Sequence, residues 1–402
     1  MPSARRTTRT RRAAIAAALS LAAGCTSERT TLSSRYDIGR QDPGGVRTVV
    51  TDDRGRPADG AKLAMAPVAR MAFDGRTLPV VSPDGRRAAV QVRTTATWAV
   101  QVGDPLPPDG VATRIEAISL EADTPGVPLG VLEGPWILGR GASAEGFLAE
   151  RPREDGGRDV ALVTWAGEPR TVVADGWTNA FATVAVDGSL AWSRRNPEGG
   201  DWQLVVERRG TRRVVGTPRG ESWLLPVFAG DGTGLFALRL VGTSLVVAWL
   251  PFGDDGMPAV PGGTEALVAL VSLRANLSAA VTAMIPSSGL SASPPGRERI
   301  ALWLGDQGRM ALWAPGGRIE PLTAGSVAAT PVDPGNVLVT LPTTLARQQL
   351  GPNELPVRPL VDGAWLTRPI AGSPTSFIAM RALDRQIELA RAQLEVPASP
   401  AP

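Results

Sequence analysis

The sequence contains no histidine, and its 402 residues include a single cysteine, Cys25. Without histidine, Ser-His-Asp and Cys-His catalysis, histidine-ligated zinc or iron, and histidine proton relays are all excluded. A single cysteine cannot form an internal disulfide, so a folded domain must be stabilised by its hydrophobic core. We therefore predict that the chain is not an enzyme and that it carries no cofactor and no metal.

The excess of basic over acidic residues is small and is confined to the N-terminus. The chain has 42 Lys+Arg and 39 Asp+Glu, and residues 1–24 hold five of the arginines and no acidic residue. From residue 25 onward, 42 − 5 = 37 basic residues face 39 acidic ones, a formal charge of −2. This balance argues against a nucleic acid partner.

Residues 1–24 have the pattern of an export signal peptide. The arginines precede an apolar stretch from Ala13 to Ala23, which is too short to span a bilayer, because a spanning helix needs about 20 residues. The run Leu21-Ala22-Ala23-Gly24-Cys25 resembles the lipobox of bacterial lipoproteins, although Ala22 stands where Leu, Val or Ile is usual. The resemblance implies that the sulfur of Cys25 is lipidated and anchors the protein outside the cytoplasm, on the cell membrane or outer membrane.

Two alternatives remain open for this segment. One is an ordinary secretory signal in which Cys25 is incidental. The other concerns the export route, since Thr10-Arg11-Arg12-Ala13-Ala14-Ile15 loosely resembles a twin-arginine signal but lacks the usual Phe-Leu.

Composition divides the remaining chain into three parts. Residues 25–45 are polar and predict a flexible tether behind the lipidated cysteine. Residues 46–396 alternate short apolar runs with Gly, Pro and Asp turns and predict one β-rich domain. Residues 397–402 predict a disordered, proline-rich tail.

A turn followed by a strand-like apolar run recurs along the predicted domain, and short strands separated by such turns are hairpin signals. The spacings between successive turn glycines are 61, 42, 44, 64 and 39 residues, and units of about 40–45 residues with several strands each are typical of propeller blades. The turn glycines are Gly85, Gly146, Gly188, Gly232, Gly296 and Gly335.

The run Val81-Ser82-Pro83-Asp84-Gly85-Arg86-Arg87-Ala88-Ala89-Val90 resembles the Ser-Pro-Asp-Gly-Lys/Arg motif of propeller repeats in the TolB family and its WD40-like relatives. The resemblance implies an all-β propeller. Six turn markers predict at least six blades, and we favour seven, the last closed by strands from both ends, with Val46 to Val50 as the N-terminal contribution. The apolar spacing Met380, Leu383, Ile387, Ala390, Leu394 fits either a short C-terminal helix or the closing strand.

Three sets of side chains could bind a ligand. The eleven tryptophans could be platforms for sugar rings, but we expect most of them to fill the space between blades. Glu145 or Asp231 could belong to a carboxylate pair of a histidine-free glycosidase, although both occupy turn positions. Arg208-Arg209 and Arg212-Arg213 could meet an anionic partner, but we expect a solvated turn.

The sequence thus favours a lipid-anchored β-propeller that acts as a protein-interaction or assembly module at the cell envelope. Its partners would be the membrane, through the N-terminal lipid at Cys25, and an envelope protein. The alternative is a propeller that binds a carbohydrate or another small ligand, including a carboxylate-dependent glycosidase.

Overall fold

The computed structural model describes residues 61–73, 77–94, 113–216, 219–241, 244–258, 271–273, 285–286, 299–304, 309–315, 319–333, 335–350, 357–383 and 385–395. The predicted signal peptide, Cys25, the tether, the run from Val46 to Val50, the turn glycine Gly296 and the tail lie outside these residues. In the part of the chain that the structure describes, every regular element is a β-strand. A search of the same residues for a helix long and apolar enough to cross a membrane found none.

The described strands form five four-stranded sheets and one eight-stranded sheet. The first sheet contains β2 (Val80–Val81), β3 (Arg87–Thr94), β4 (Thr113–Ser119) and β5 (Pro128–Gly134). The eight-stranded sheet contains β6 (Ile137–Ala142), β7 (Gly146–Pro152), β8 (Arg158–Thr164), β9 (Pro169–Val173), β10 (Thr178–Val184), β11 (Leu190–Arg195), β12 (Gln203–Arg208) and β13 (Thr211–Val215).

The other four sheets follow in chain order. They contain β14 (Glu221–Phe228), β15 (Gly234–Val241), β16 (Ser244–Pro251) and β17 (Val271–Leu273); then β18 (Ile285–Pro286), β19 (Ile300–Leu304), β20 (Arg309–Trp313) and β21 (Glu320–Pro321). Next come β22 (Ala328–Asp333), β23 (Asn336–Thr340), β24 (Thr344–Gln349) and β25 (Val357–Asp362). The last contains β26 (Leu366–Pro369), β27 (Ser376–Leu383), β28 (Gln386–Glu395) and β1 (Lys62–Ala72).

The predicted Asp-Gly turns join the first strand of a sheet or half-sheet to its second strand. In the turn between β2 and β3, the Asp84 carboxylate accepts hydrogen bonds from the Ser82 hydroxyl (2.6 Å) and the Arg86 amide (3.0 Å). Gly85 follows with φ of 66°, a conformation that glycine adopts without steric cost. Gly188 and Gly232 occupy the same place in later turns, with φ of 83° and 70°.

The first strands of successive sheets pack against one another around a common centre, as β2 does with β6, β6 with β10, and β22 with β26. Because neighbouring strands in each sheet are antiparallel, turns alternate between the two faces of this arrangement. We call the face that carries the turns between first and second strands the hairpin face. The opposite face, which carries the turns between second and third strands and the links between sheets, is the connection face.

The last sheet joins the two ends of the described chain. Strand β1 pairs antiparallel with β28 from Lys62↔Glu395 to Ala72↔Gln386. This pairing confirms the prediction that an N-terminal and a C-terminal strand share one sheet. The N-terminal contribution is Lys62–Ala72. The predicted alternative of a C-terminal helix is wrong, because Met380 and Leu383 belong to β27, and Ile387, Ala390 and Leu394 belong to β28. Both faces of this sheet are covered, so its apolar residues do not alternate, and the spacing imitated a helix.

The propeller fold is confirmed, but the number of separate blades differs from the predicted six or seven. Five sheets stand alone as four-stranded blades, while the sixth sheet is continuous over eight strands. Its two halves, β6–β9 and β10–β13, are joined by one parallel pairing, Thr178↔Arg158. The halves therefore run in the same direction, as neighbouring blades of a propeller do. The core lies between sheets: one buried cluster joins Ala117 of β4 to Phe147 of β7, and another joins Ala88 of β3 to Ile378 of β27.

Candidate ligand-binding cleft on the connection face

A cleft of about 410 Å³ opens on the connection face beside the strands β10 to β13. Clefts of this size accommodate small ligands. The described residues around it belong to the loops before β10 and between β11 and β12, and to either end of the link between β13 and β14. Its lining residues are Trp177, Asn196, Gly199, Asp201, Gln203, Gly216 and Arg219.

Trp177 is fixed in the wall of the cleft by a cation. The guanidinium carbon of Arg194 lies 4.4 Å from the centre of the Trp177 ring, and the Trp177 side chain is half-buried. Arg194 is itself held, because its Nε donates to Gln203 Oε1 at 3.1 Å and its Nη1 lies 3.7 Å from Asp175 Oδ2. Stacking on the cation and the surrounding bonds limit the rotation of the indole.

The polar groups at the opening of the cleft are held by backbone hydrogen bonds. Asn196 Oδ1 accepts the amide of Glu198 at 2.9 Å, and Asp201 Oδ2 accepts the amide of Gly220 at 2.7 Å. Each of these bonds uses one oxygen and fixes the side chain's direction. The Asn196 bond closes a local turn, whereas the Asp201 bond links two loops that are 19 residues apart in the sequence. The cleft is therefore preorganised.

A buried ion pair in the neighbouring half-sheet, Glu150–Arg158, is also bonded to β10. Glu150 of β7 accepts a hydrogen bond from Arg158 Nη1 at 2.6 Å, and both side chains are 7% exposed. The other oxygen of Glu150 accepts the amide of Phe181 in β10 at 2.7 Å. Phe181 has φ of 59°, which bulky residues rarely adopt, and it lies where the β10–β11 register shifts. One buried carboxylate thus ties the bulge in β10 to the preceding half-sheet.

Arg195 lies next to Arg194 but on the opposite face of the sheet. Its guanidinium carbon is 4.8 Å from the centre of the Trp202 ring, and burial lowers its pKa. Its Nε is buried without a hydrogen-bond partner. Arg195 therefore covers fully buried Trp202 instead of contributing to the cleft.

Trp177 was considered as a sugar platform together with the other ten tryptophans, but the remaining cleft residues were not predicted from the sequence, although one signal could have singled out Trp177. In four sheets or half-sheets, a tryptophan near the start of the first strand lies under an arginine near the end of the second. The spacing is 15, 17, 16 and 16 residues. The pairs are Trp136 with Arg151, Trp177 with Arg194, Trp223 with Arg239, and Trp365 with Arg381.

The expectation that most tryptophans fill the core is confirmed for the described side chains. Among them, Trp177 is half-buried and the remaining eight are buried. Trp98 and the side chain of Trp303 lie outside the described residues. The buried ones are Trp136, Trp165, Trp192, Trp202, Trp223, Trp249, Trp313 and Trp365.

The arginine cluster between β12 and β13 is not simply a solvated turn. Arg208 bonds the carboxylate of Asp187 at 3.0 Å and the carbonyl of Gly256 at 2.9 Å, and its side chain is only 13% exposed. Arg213 bonds the carbonyl of Pro258 at 3.0 Å and also pairs with Asp255. Both residues therefore connect the β10–β13 half-sheet to the loop that follows β16.

The two carboxylates considered for glycosidase chemistry lie in hairpin turns. Glu145 precedes β7 and pairs with Arg170 at 2.9 Å, whereas Asp231 precedes β15 and accepts the Thr233 amide at 2.9 Å. The half-sheet β10–β13 stands between the sheets that carry them. The described residues also contain no group of three or more acidic, cysteine or histidine side chains placed to hold a metal.

No family model and no curated protein sequence matches the chain. Solved structures that it resembles include the Dos1 propeller, at 9% identity and a TM-score of 0.47, over 81% of this chain and 95% of that one. Prolyl oligopeptidase B from Galerina marginata matches at 15% identity and a TM-score of 0.43, over 76% of this chain. The chain spans about half the length of that enzyme, 46%.

A protein described as a TolB from Agrobacterium tumefaciens matches at 14% identity and a TM-score of 0.38, over 67% of this chain and 92% of that one. At these identities the likenesses concern the propeller fold alone.

Proposed function

We propose that this protein is a lipid-anchored, extracytoplasmic propeller of seven blades that binds an envelope protein through its connection face and is not an enzyme. The anchor is the sulfur of Cys25, proposed from the lipobox-like run that ends at this residue. The membrane attachment and the partner-binding face are separate parts of the proposal, and each has its own support and its own test.

Seven blades are supported by the architecture of the eight-stranded sheet. Its halves each follow the same four-strand meander as the other sheets and share one bridging pair. Counted as two blades, they give seven units with the five separate sheets. Buried clusters between the halves and between other neighbouring sheets support the same count, as with Leu148 of β7 and Trp192 of β11.

The observation that carries the choice of face is the direction of β1. This strand starts at Lys62, opposite Glu395, and ends at Ala72, beside the turn between β27 and β28. That turn lies on the connection face, so Lys62 lies at the hairpin face. A tether from Cys25 thus reaches the propeller at the hairpin face. Entry of the chain at the hairpin face leaves the connection face free to point away from the membrane.

Membrane attachment is tested by replacing Cys25 with Ser. We expect the parent to appear in the membrane fraction and to incorporate a labelled lipid precursor, and the Cys25→Ser variant to lose both properties. A variant that stays membrane-bound, together with a parent that takes no label, would overturn the anchor.

The partner-binding face is tested with single engineered cysteines carrying a photo-crosslinker. Glu198 is an exposed residue of the connection face, and Val186 is 66% exposed in a turn of the hairpin face of the same half-sheet. We expect Glu198→Cys to give a defined adduct with an envelope protein, and Val186→Cys, the matched control, to give none. No adduct from Glu198→Cys, or an adduct from Val186→Cys alone, would overturn the proposal.

A further inference from the structure

The cleft beside β10 to β13 presents hydrogen-bonding groups that the protein itself does not use. In the described residues, no partner bonds the side-chain nitrogen of Asn196 or Gln203, although the oxygen of each is occupied. Asp201 keeps one carboxylate oxygen free, and Arg219 has no acidic partner there. The cleft therefore offers two amide donors, one carboxylate acceptor and one guanidinium at fixed positions.

An aromatic surface accompanies these groups. The indole of Trp177 lines the cleft, and the guanidinium of Arg194 at 4.4 Å holds the ring. A ring that is stacked on a cation and half-buried presents a rigid apolar surface of large area. The cleft thus places an aromatic surface beside amide and carboxylate groups. This arrangement suits a ligand with an apolar face, which packs on the ring, and hydroxyl groups at its edge, which bond the polar groups.

Two glycines keep the cleft open. A Cβ added at Gly199 or Gly216 would meet no atom within 4 Å, so free space lies above both. Gly199 has φ of 110°, whereas the φ of Gly216 lies outside the left-handed range, so another residue can replace Gly216 without backbone strain. Gly216 is therefore a position where a large side chain can fill the cleft.

From this arrangement we infer that the cleft binds a saccharide unit. The C–H face of the sugar packs on Trp177, and its hydroxyls accept from Asn196 and Gln203 and donate to Asp201. Arg219, exposed at the edge, meets an acidic substituent such as a carboxylate. A phosphate-rich ligand fits less well, because Arg219 is the one lining cation among the described residues and Asp201 would oppose the anion. A lipid tail fits less well, because it would cover Asn196, Asp201 and Gln203 without giving them a hydrogen-bond partner.

The test is binding of the full chain carrying Cys25→Ser to an array of neutral and uronic-acid-containing oligosaccharides, followed by titration calorimetry with the retained oligosaccharide. We expect Gly216→Phe to abolish binding and Trp177→Ala to weaken it about tenfold, which corresponds to about 1.4 kcal/mol. Asn196→Asp keeps the acceptor for the Glu198 amide but loses the donor, and should weaken binding about fivefold.

The charge of the ligand is tested by a matched pair of arginine variants. Arg219→Ala should weaken binding of acidic oligosaccharides and leave neutral ones unchanged. Arg209→Ala removes the same charge from an exposed turn on the hairpin face and should change neither.

Retention of no oligosaccharide by the parent, or parent-like affinity in Gly216→Phe, would overturn the inference, provided that thermal melting shows both chains folded. The inference does not depend on the anchor or on a protein partner, which are tested by fractionation and crosslinking.

Discussion

The buried contact between Glu150, Arg158 and Phe181 supplies the sharpest test of how the two half-sheets are joined. Replacing Glu150 with Ala removes the carboxylate that Arg158 contacts at 2.6 Å, and it leaves the Phe181 amide without its acceptor. Removal of one partner of a buried ion pair costs about 3–5 kcal/mol, because the remaining charge stays buried. The loss is large relative to a total domain stability of about 5–15 kcal/mol.

We expect Glu150→Ala to lower the midpoint of urea unfolding by about 1 M or more, since the dependence on urea is roughly 1–3 kcal/mol per molar. Tryptophan fluorescence should follow the unfolding transition, because Trp192 and Trp202 lie in buried clusters next to the Glu150–Arg158 pair and Phe181. Hydrogen exchange of the Phe181 amide should accelerate more than that of amides in β23, which belongs to a different sheet.

Two control variants separate charge from hydrogen bonding. Glu150→Gln keeps an oxygen for the Phe181 amide and should lose less stability than Glu150→Ala. The double variant Glu150→Leu/Arg158→Met removes both charges and should recover part of the loss, because apolar pairs replace buried ion pairs well. An unchanged midpoint in Glu150→Ala, or a double variant less stable than the single one, would refute the reasoning.

Three further predictions concern the hairpins. Burial alone would raise the pKa of Asp84, but hydrogen bonds from Ser82 and Arg86 and the nearby arginine charges lower it. The stability that Asp84 contributes is therefore present above the ordinary carboxyl pKa and is lost as the pH falls through the lowered pKa. Asp84→Asn should accordingly make the melting temperature depend less on pH in the acid range. A Cβ at Gly146 would lie 1.9 Å from the Val163 carbonyl oxygen, whereas a Cβ at Gly188 would meet no atom within 4 Å. Gly188→Ala should therefore lower the free energy of unfolding only by the roughly 1–2 kcal/mol of left-handed backbone strain. Calorimetry should show a far larger loss of unfolding free energy in Gly146→Ala. Arg213→Ala breaks the bonds to Asp255 and Pro258 and should lower the melting temperature more than Arg209→Ala. Equal effects would contradict the inference that Arg213 stabilises the fold by linking β13 to the loop after β16.

Local sequence predicted the repeating part of the fold well. Pro83-Asp84-Gly85 specifies a tight turn through its own side-chain and backbone chemistry, and the following apolar triplet Ala88-Ala89-Val90 is buried as expected. The predicted turn between β12 and β13 also exists, with Gly210 at φ of 77°. These features depend on neighbours only a few residues apart.

The C-terminal segment shows where local information failed. The spacing from Met380 to Leu394 fits a helical stripe and a strand buried on both faces equally well. The segment forms a strand because β28 pairs with β1, which lies more than 300 residues earlier in the sequence. No local pattern reveals that partner.

The arginines show the same dependence on distant partners. Arg208 and Arg209 are adjacent in a polar turn, yet Arg208 bonds Gly256 in the loop that follows β16, whereas Arg209 is exposed. Their sequence neighbourhoods are nearly identical. The difference arises because strand alternation and the position of the neighbouring sheet direct one side chain inward and the other outward.

The sequence by itself determined the chemistry that the protein lacks, the lipobox-like cysteine, and the repeated turn-strand unit, because residue type and short-range spacing are sufficient for each. Tertiary structure alone decided the continuous eight-stranded sheet, the closing strand from Lys62 to Ala72, and the cleft around Trp177. The cleft takes its residues from three loops separated by whole strands. Only the stacking of those strands around a common centre brings the indole, the amides, the carboxylate and the guanidinium together.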